Sequence, residues 1–242
     1  MLDDISQTAG DASPAVVVDE PVRLSGIAVL GSHPATVAEA PFSDPSWLIY
    51  ACSPHNVEHR KLPRVNEWFE CHVPIEDPSR AFSYLKAVSE MPLVWMRDER
   101  ALKSGLFKGG RAYPEQALRG TSRIESIKVP TEQYRQVIGA DGKPTMAQVM
   151  ERRQAEIPQF DGKFNPCMFT SSIAFMLAKA IDDCEKNSIP AIGIYGVMQA
   201  SENEYVYQRP GIQYFIGEAM KRGIKVRIPE QSRLFDMPQW KW

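Results

Sequence analysis

Residues 166–209 read PCMFTSSIAFMLAKAIDDCEKNSIPAIGIYGVMQASENEYVYQR, and this stretch decides the fold. From Ile173 the apolar residues return at Leu177, Ala180, Ile181 and Cys184, a spacing that puts them on one face of a helix. Phe169-Thr170-Ser171-Ser172 directly precedes it, so hydroxyls and unspent backbone N–H groups collect at the helix N-terminus, the end that attracts anions. After Pro190, Ala191-Ile192-Gly193-Ile194-Tyr195-Gly196-Val197 is short and apolar throughout, the pattern of a central parallel strand. A helix followed by a buried strand is half of an α/β unit, and open α/β sheets take ligands beyond the carboxyl ends of their strands. The polar run after Val197 is therefore the first place to look for a ligand.

Towards the N-terminus the same grammar recurs. Gly26-Ile27-Ala28-Val29-Leu30 is a compact apolar run that ends in Gly31-Ser32-His33-Pro34, a strand followed by a tight polar turn. Trp47–Cys52 is a second strand, closed by Ser53-Pro54-His55-Asn56. Trp68-Phe69-Glu70-Cys71-His72 is a third, with Glu70 and His72 on one face. Asp77-Pro78 offers an N-cap and a first-turn proline to a helix whose buried stripe is Phe82, Leu85 and Val88, and Leu93–Met96 follows as a strand. Towards the C-terminus, Ile212, Phe215, Ile216, Ala219 and Met220 follow helical spacing, Gly223 is a stop, and Ile224–Ile228 is a last strand. This alternation predicts an α/β, Rossmann-like fold, a mostly parallel sheet flanked by helices, over residues 23–235. Glycines and prolines crowd residues 97–163, which read as an irregular central insertion or lid across the mouth of the sheet, with a short helix over Met146, Val149, Met150 and Arg153. Residues 1–22 read as a flexible arm. Residues 236–242, with Trp240 and Trp242, read as a tail that packs on the body or on a neighbouring subunit of a homo-oligomer.

The 242 residues suffice for one core with extensions. A net charge of −2, a pI near 6.1 and no stripe of Lys and Arg disfavour tight nonspecific nucleic-acid binding, so nucleic acid enters only as an acceptor substrate. No apolar run approaches the ~20 residues of a membrane span, and the acidic N-terminus is unlike a signal peptide, so the expected place is the cytoplasm, with no membrane partner. Cys52, Cys71, Cys167 and Cys184 are scattered with no histidine at ligand spacing, so no metal is expected. The first turn is neither G-x-G-x-x-G nor a P-loop, and the sequence names no cofactor. Gly31-Ser32 can still present backbone N–H groups to a phosphate.

Two groups of residues carry candidate chemistry. His33, His55, His59 and His72 lie early in the chain, three of them at or just past strand ends, where general acid–base work would need them. The competing reading is ordinary turn histidines. Glu202-Asn203-Glu204-Tyr205-Val206-Tyr207-Gln208-Arg209 reads as a loop whose carboxylates, phenols, amide and guanidinium suit a sugar or base and a phosphate, against the bland alternative of a solvated loop. Arg64, Arg97 and Arg111 are further anion-binding candidates, each competing with a plain surface charge, and Asp182 and Asp183 read as solvated.

Phe169 to Ala178, Tyr195-Gly196-Val197, Glu204-Tyr205, Tyr207-Gln208-Arg209-Pro210 and Gly223-Ile224-Lys225-Val226, with Trp47, Asn56, Trp68-Phe69-Glu70 and His72, resemble a family of small proteins of tailed bacteriophages. More remotely, the strand with a glycine turn, the Ser/Thr-rich helix start and the strand ending in Gly-Val are similar to the sheet of bacterial sialyltransferases and pterin pyrophosphokinase-like proteins. Those relatives imply a nucleotide phosphate at Gly31, Ser32, Thr170, Ser171 and Ser172. Phage proteins of this kind often carry Asp after Gly-Val where this chain has Met198, so Glu202 or Glu204 would have to supply that contact. The resulting expectation is a phage-encoded, glycosyltransferase-type enzyme that binds a nucleotide or nucleotide sugar. His72 or His33 is the base, Glu204 a further catalytic group, and Asn56, Gly196, Glu202, Tyr207, Gln208 and Arg209 complete the ligand site. A non-catalytic nucleotide-binding or sequestering protein and a virion or assembly component remain open.

Overall fold

The computed structural model describes residues 22–53, 56, 61–72, 82–198 and 204–235. The N-terminal arm up to residue 21, the tail over 236–242 and the capping pair Asp77-Pro78 lie outside the described residues. In chain order the first elements are β1 (Gly26–Leu30), α1 (Pro34–Val37), β2 (Trp47–Ala51), β3 (Glu67–Glu70), α2 (Phe82–Ser89), β4 (Val94–Met96), α3 (Glu99–Lys103), β5 (Gly110–Ala112) and α4 (Glu115–Leu118). They are followed by β6 (Ser122–Ile138), β7 (Pro144–Phe160), α5 (Ser172–Asn187), β8 (Ala191–Tyr195), α6 (Glu204–Lys221) and β9 (Lys225–Arg227).

Seven strands form one sheet in the order β5-β4-β3-β2-β1-β8-β9, and every neighbouring pair is parallel. The order steps away from β1 on one side and then restarts at β8 on the other, which is the doubly wound α/β arrangement. Side-chain alternation along β1 explains why both faces must be covered. Ile27 and Val29 pack with α5 and α6, whereas Ala28 and Leu30 pack with Val37, Tyr84, Val88 and Ala101 of α1, α2 and α3. Each fully buried aliphatic side chain of these clusters contributes about 1.5–3 kcal/mol relative to its exposure in the unfolded chain.

The helix that sets the fold runs as its spacing predicts. Ser171 caps α5 by accepting the Ala174 N–H at 3.2 Å, and Ser188 ends it in the left-handed conformation, φ 54°. Ile173, Leu177, Ala180, Ile181 and Cys184 are buried, but so are Ala174, Phe175, Met176 and Ala178, because α6 covers the face turned away from the sheet. In α6, Ile212, Phe215, Ile216 and Ala219 point into the core while Met220 is 63% exposed. Gly223, at φ +76°, stops the helix where the sequence places the stop.

The stretch 97–163 holds more regular structure than its punctuation predicts. Its first part supplies β5, α3 and α4 to the edge of the main sheet. Its second part is an antiparallel hairpin whose strands are each 17 residues long and pair only with one another. Met146–Arg153, expected as a short helix, belongs to β7. The glycines mark the ends of the hairpin instead of breaking it. Gly139 and Gly142 form its turn, and at its root a Cβ on Gly120 would lie 2.3 Å from the Gly162 nitrogen. Pro130 is tolerated within β6 because both strands of a two-stranded sheet are edges.

Candidate functional site

Where the strand order reverses, β1 and β8 end side by side, with Leu30 opposite Tyr195. Their loops then part to opposite faces: Val37 joins the cluster of α1 to α3, and Val197 joins that of α5 and α6. The Gly31 N–H donates to the Tyr195 carbonyl at 2.8 Å and the His33 N–H to the Gly196 carbonyl at 2.9 Å. The Gly196 N–H donates to the hydroxyl of the fully buried Thr36 at 2.8 Å. Two of the three peptide N–H groups of the Gly31-Ser32-His33 turn, those of Gly31 and His33, are thus spent across the reversal point. Asn56, 2% exposed, donates through Nδ2 to the carbonyls of Gly31 at 3.1 Å and Cys52 at 2.7 Å.

The ring nitrogens separate the two histidines proposed as base. His33 caps α1, and its Nδ1 accepts the Ala35 N–H at 3.3 Å, which places the neutral ring's proton on Nε2 and makes that atom a donor. His72, just past β3 and 57% exposed, has Nδ1 3.3 Å from Glu70 Oε1, a pairing that calls for the proton on Nδ1. Glu70 is itself 2% exposed, accepts the His72 N–H at 3.2 Å and accepts the Tyr84 hydroxyl, so the carboxylate that orients the ring is held in turn. Asp98 lies two residues past Met96, the partner of Glu70 across β3 and β4. It caps α3 through Oδ1, and its buried Oδ2 has no hydrogen-bond partner. Next to Glu70 in the chain, Cys71 has its thiol pushed up to about 12, first by burial and then by the Glu70 carboxylate. Among the described residues no group of three or more His, Cys, Asp or Glu is placed to hold a metal.

On the other face, the N-terminus of α5 stands beside Cys71, whose thiol meets the Ser172 hydroxyl. The Ser171 hydroxyl is the cap, and the Thr170 hydroxyl donates to the Gln208 carbonyl at 2.9 Å. What remains for an anion is the first-turn N–H groups of Ser172 and Ile173, which no intrahelical carbonyl reaches. Arg97 lies against this end, with its guanidinium 4.3 Å from the Phe175 ring centroid and both oxygens of Glu115 at 2.8 Å. The Arg97 hydrogen bonds, with further help from Arg119, hold the Glu115 carboxyl below its ordinary range. Arg64 and Arg111 donate to main-chain carbonyls, Arg64 to Pro41 and Asp44 and Arg111 to Gly110.

The expected loop 202–209 is mostly helix, since α6 starts at Glu204. Tyr207 is 80% exposed. Arg209 donates to the Leu234 carbonyl at 2.8 Å, and Gln213 donates to the same oxygen at 2.9 Å, so this guanidinium anchors the C-terminal segment. Glu202, His55 and His59 lie outside the described residues, and of Glu204 only the backbone is described. The rim of the sheet therefore brings Gly31, Ser32, His33, Asn56, Gly196 and His72 to its carboxyl edge, with Ser171 and Ser172 above it. Tyr207, Gln208 and Arg209 belong to the α6 side.

Several groups escaped the sequence. Asp182 is buried and Asp183 partly buried instead of solvated: Asp182 pairs with Lys163 at 2.7 Å and Lys186 at 2.6 Å, and Asp183 pairs with Lys179 and the Tyr50 hydroxyl at 2.5 Å. Lys179 also lies 4.7 Å from the Trp95 ring centroid, and the Trp95 indole N–H donates to Glu67. Burial raises the Glu67 carboxyl above its ordinary value. The i, i+4 spacing of Lys179 and Asp183 was a readable signal for their pairing. Nothing in the local sequence marks Tyr50, Glu67 or Trp95 as its neighbours. No family model matches this chain, and no curated protein or solved structure shows a significant likeness to it.

Proposed function

We propose that the carboxyl edge of the sheet binds a nucleotide across the β1–β8 reversal point and that the protein is a transferase of the glycosyltransferase type, acting from an activated nucleotide donor. The carrying observation is the reversal of strand order between β1 and β8 with His72 and Glu70 two strands away on the same edge. From β8 to β3 is three strand spacings, about 14 Å, a span suited to a nucleotide with its attached group. The first-turn N–H groups of α5 and that of Ser32 favour the phosphates. His72 takes the proton of the acceptor hydroxyl as its oxygen bonds to the anomeric carbon of the donor. The bond from that carbon to the phosphate oxygen breaks, and the nucleotide leaves with the electron pair. Glu70 steadies the imidazolium that results. The phage origin and the sialyltransferase resemblance expected from the sequence belong to the same proposal.

The test is calorimetry and thermal shift with nucleoside mono- and diphosphates and nucleotide sugars, followed by chromatography of the nucleotide after incubation with acceptors. Binding and release of free nucleotide support a transferase. Binding with the nucleotide left intact makes the protein a sequestering one. Failure to bind any member ends the proposal.

A further inference from the structure

The side-chain amide of Asn56 is held in one orientation with one atom unspent. Its Nδ2 lies within hydrogen-bond distance of two carbonyl oxygens, those of Gly31 and Cys52, and two acceptors can be served only by the NH₂ end. The Oδ1 end is consequently fixed as an acceptor. That oxygen is buried and has no hydrogen-bond partner, on a residue 2% exposed. Buried carbonyl oxygens in folded proteins are almost always paired, so this one calls for a donor from outside the chain. By contrast Asn66, just before β3, spends its Oδ1 on the Ile49 N–H at 2.8 Å.

We infer that Asn56 Oδ1 accepts a hydrogen bond from a ribose hydroxyl of the bound nucleotide, so that the site selects ribonucleotides over their deoxy counterparts. The inference rests on the nucleotide reading above and adds a discriminating contact to it. Three features select the hydroxyl. The acceptor is a neutral amide oxygen beside the carbonyls of Gly31 and Cys52, so it repels a phosphate and attracts a neutral donor. It belongs to the connection that leaves β2, the strand next to β1, which is where doubly wound sheets place a ribose once the phosphates lie at the reversal point. It is also rigid, because both amide protons are tied to backbone, and a rigid acceptor discriminates against a ligand that lacks the donor.

The experiment uses the full chain and compares ribonucleoside 5′-monophosphates with their 2′-deoxy and 2′,3′-dideoxy forms, with ribose 5-phosphate and inorganic phosphate alongside. Side-chain amide resonances of Asn56 and Asn66 are followed by NMR in the same titrations. The expected result is binding of a ribonucleotide, a loss of about tenfold or more in affinity on removing the hydroxyls, and a shift of the Asn56 amide with Asn66 unmoved. Equal affinity for the dideoxy form, with the Asn56 amide unmoved, overturns the inference while leaving nucleotide binding intact, and would mean that a buried water serves Oδ1. A tenfold loss on exchanging a base amine for a carbonyl, with none on removing the hydroxyls, also overturns it, by making the base the donor. Failure of every nucleotide to bind removes the functional proposal and this inference together. Because the ligand and not the protein is altered, misfolding of an Asn56 variant cannot imitate any of these outcomes.

Discussion

Gly31 and Gly196 meet backbone to backbone at the reversal point: a Cβ on Gly31 would lie 2.3 Å from the Gly196 carbonyl oxygen, and one on Gly196 would lie 2.7 Å from that of Gly31. Gly196 also holds φ +67°. Neither clash can be relieved by a side-chain rotation, since both obstacles are backbone. Gly31→Ala is expected to cost about 1–3 kcal/mol by overpacking, and Gly196→Ala about 1–2 kcal/mol more for its left-handed conformation. Urea unfolding of both variants measures this, and an unchanged midpoint for Gly196→Ala would contradict the contact.

His72 and Tyr84 should separate chemistry from stability. His72 is more than half exposed, so His72→Gln should move stability by no more than about 0.5 kcal/mol while lowering any transfer rate about 10²- to 10⁴-fold. Tyr84→Phe strips a hydroxyl from the buried Glu70 carboxylate and should cost about 1.5–3 kcal/mol. Parallel denaturation and rate measurements distinguish the two. A His72→Gln enzyme of normal rate would remove His72 from the mechanism.

Arg209 is expected to behave as a structural residue. Arg209→Ala should cost about 1 kcal/mol and speed hydrogen exchange over residues 230–235, because Leu234 loses one of the two side-chain donors on its carbonyl. Nucleotide affinity should be unchanged. A selective loss of affinity with normal exchange would return Arg209 to the ligand site.

Lys179 neutralises Asp183 under α5, where the two side chains are 10% and 13% exposed. Lys179→Met leaves that carboxylate buried beside Tyr50 without its cation and should cost about 3–5 kcal/mol. Pairing it with Asp183→Leu should recover much of the loss. A double variant no better than the single one would show that the pair is not the relevant unit.

Glu67 gives a pH signature of definite sign. Its carboxyl is raised in the folded protein, chiefly by burial, so the folded state holds the proton more tightly than the unfolded chain does. Its contribution to stability is fully present below the unfolded value of about 4.3 and is lost as pH rises through the folded value. Glu67→Gln keeps an acceptor for the Trp95 indole and removes the titration, so the urea midpoint should fall less steeply across that window than in the wild type. Identical slopes would refute the assignment.

The alternation of short apolar runs with helical spacings was enough to place six strands of the main sheet and the helices α2, α5 and α6. That information is local, because burial on both faces leaves a strand apolar throughout and cover on one side stripes a helix. The seventh strand, β5, has the sequence Gly-Arg-Ala and is half-buried to exposed, so no hydrophobic pattern announces it; only pairing with β4 makes it a strand. The hairpin of β6 and β7 was missed because charged and apolar residues mix along it and its glycines look like breaks when they are ends. At the candidate site, the turn residues Gly31, Ser32, His33 and His72 were visible as polar positions following apolar runs. The nearness of Glu70 to His72, two residues apart on one strand face, was visible too, whereas the contacts of Thr36 with Gly196 and of Asn56 with Gly31 were not.

By itself, then, the sequence determined the fold class, the two-sided burial of the sheet and the Ser/Thr-rich start of α5, since each follows from residue type and spacing within a few positions. Only the tertiary structure decided what each ring nitrogen meets, with Nδ1 of His33 facing the Ala35 N–H and Nδ1 of His72 facing the Glu70 carboxylate. It likewise decided that Arg209 donates to Leu234, that Asp183 meets the Tyr50 hydroxyl, and that Asn56 turns an unpaired oxygen away from Gly31 and Cys52. Hydrogen bonds over long sequence separations depend on atoms brought within about 3 Å, and no local pattern encodes a meeting of that kind.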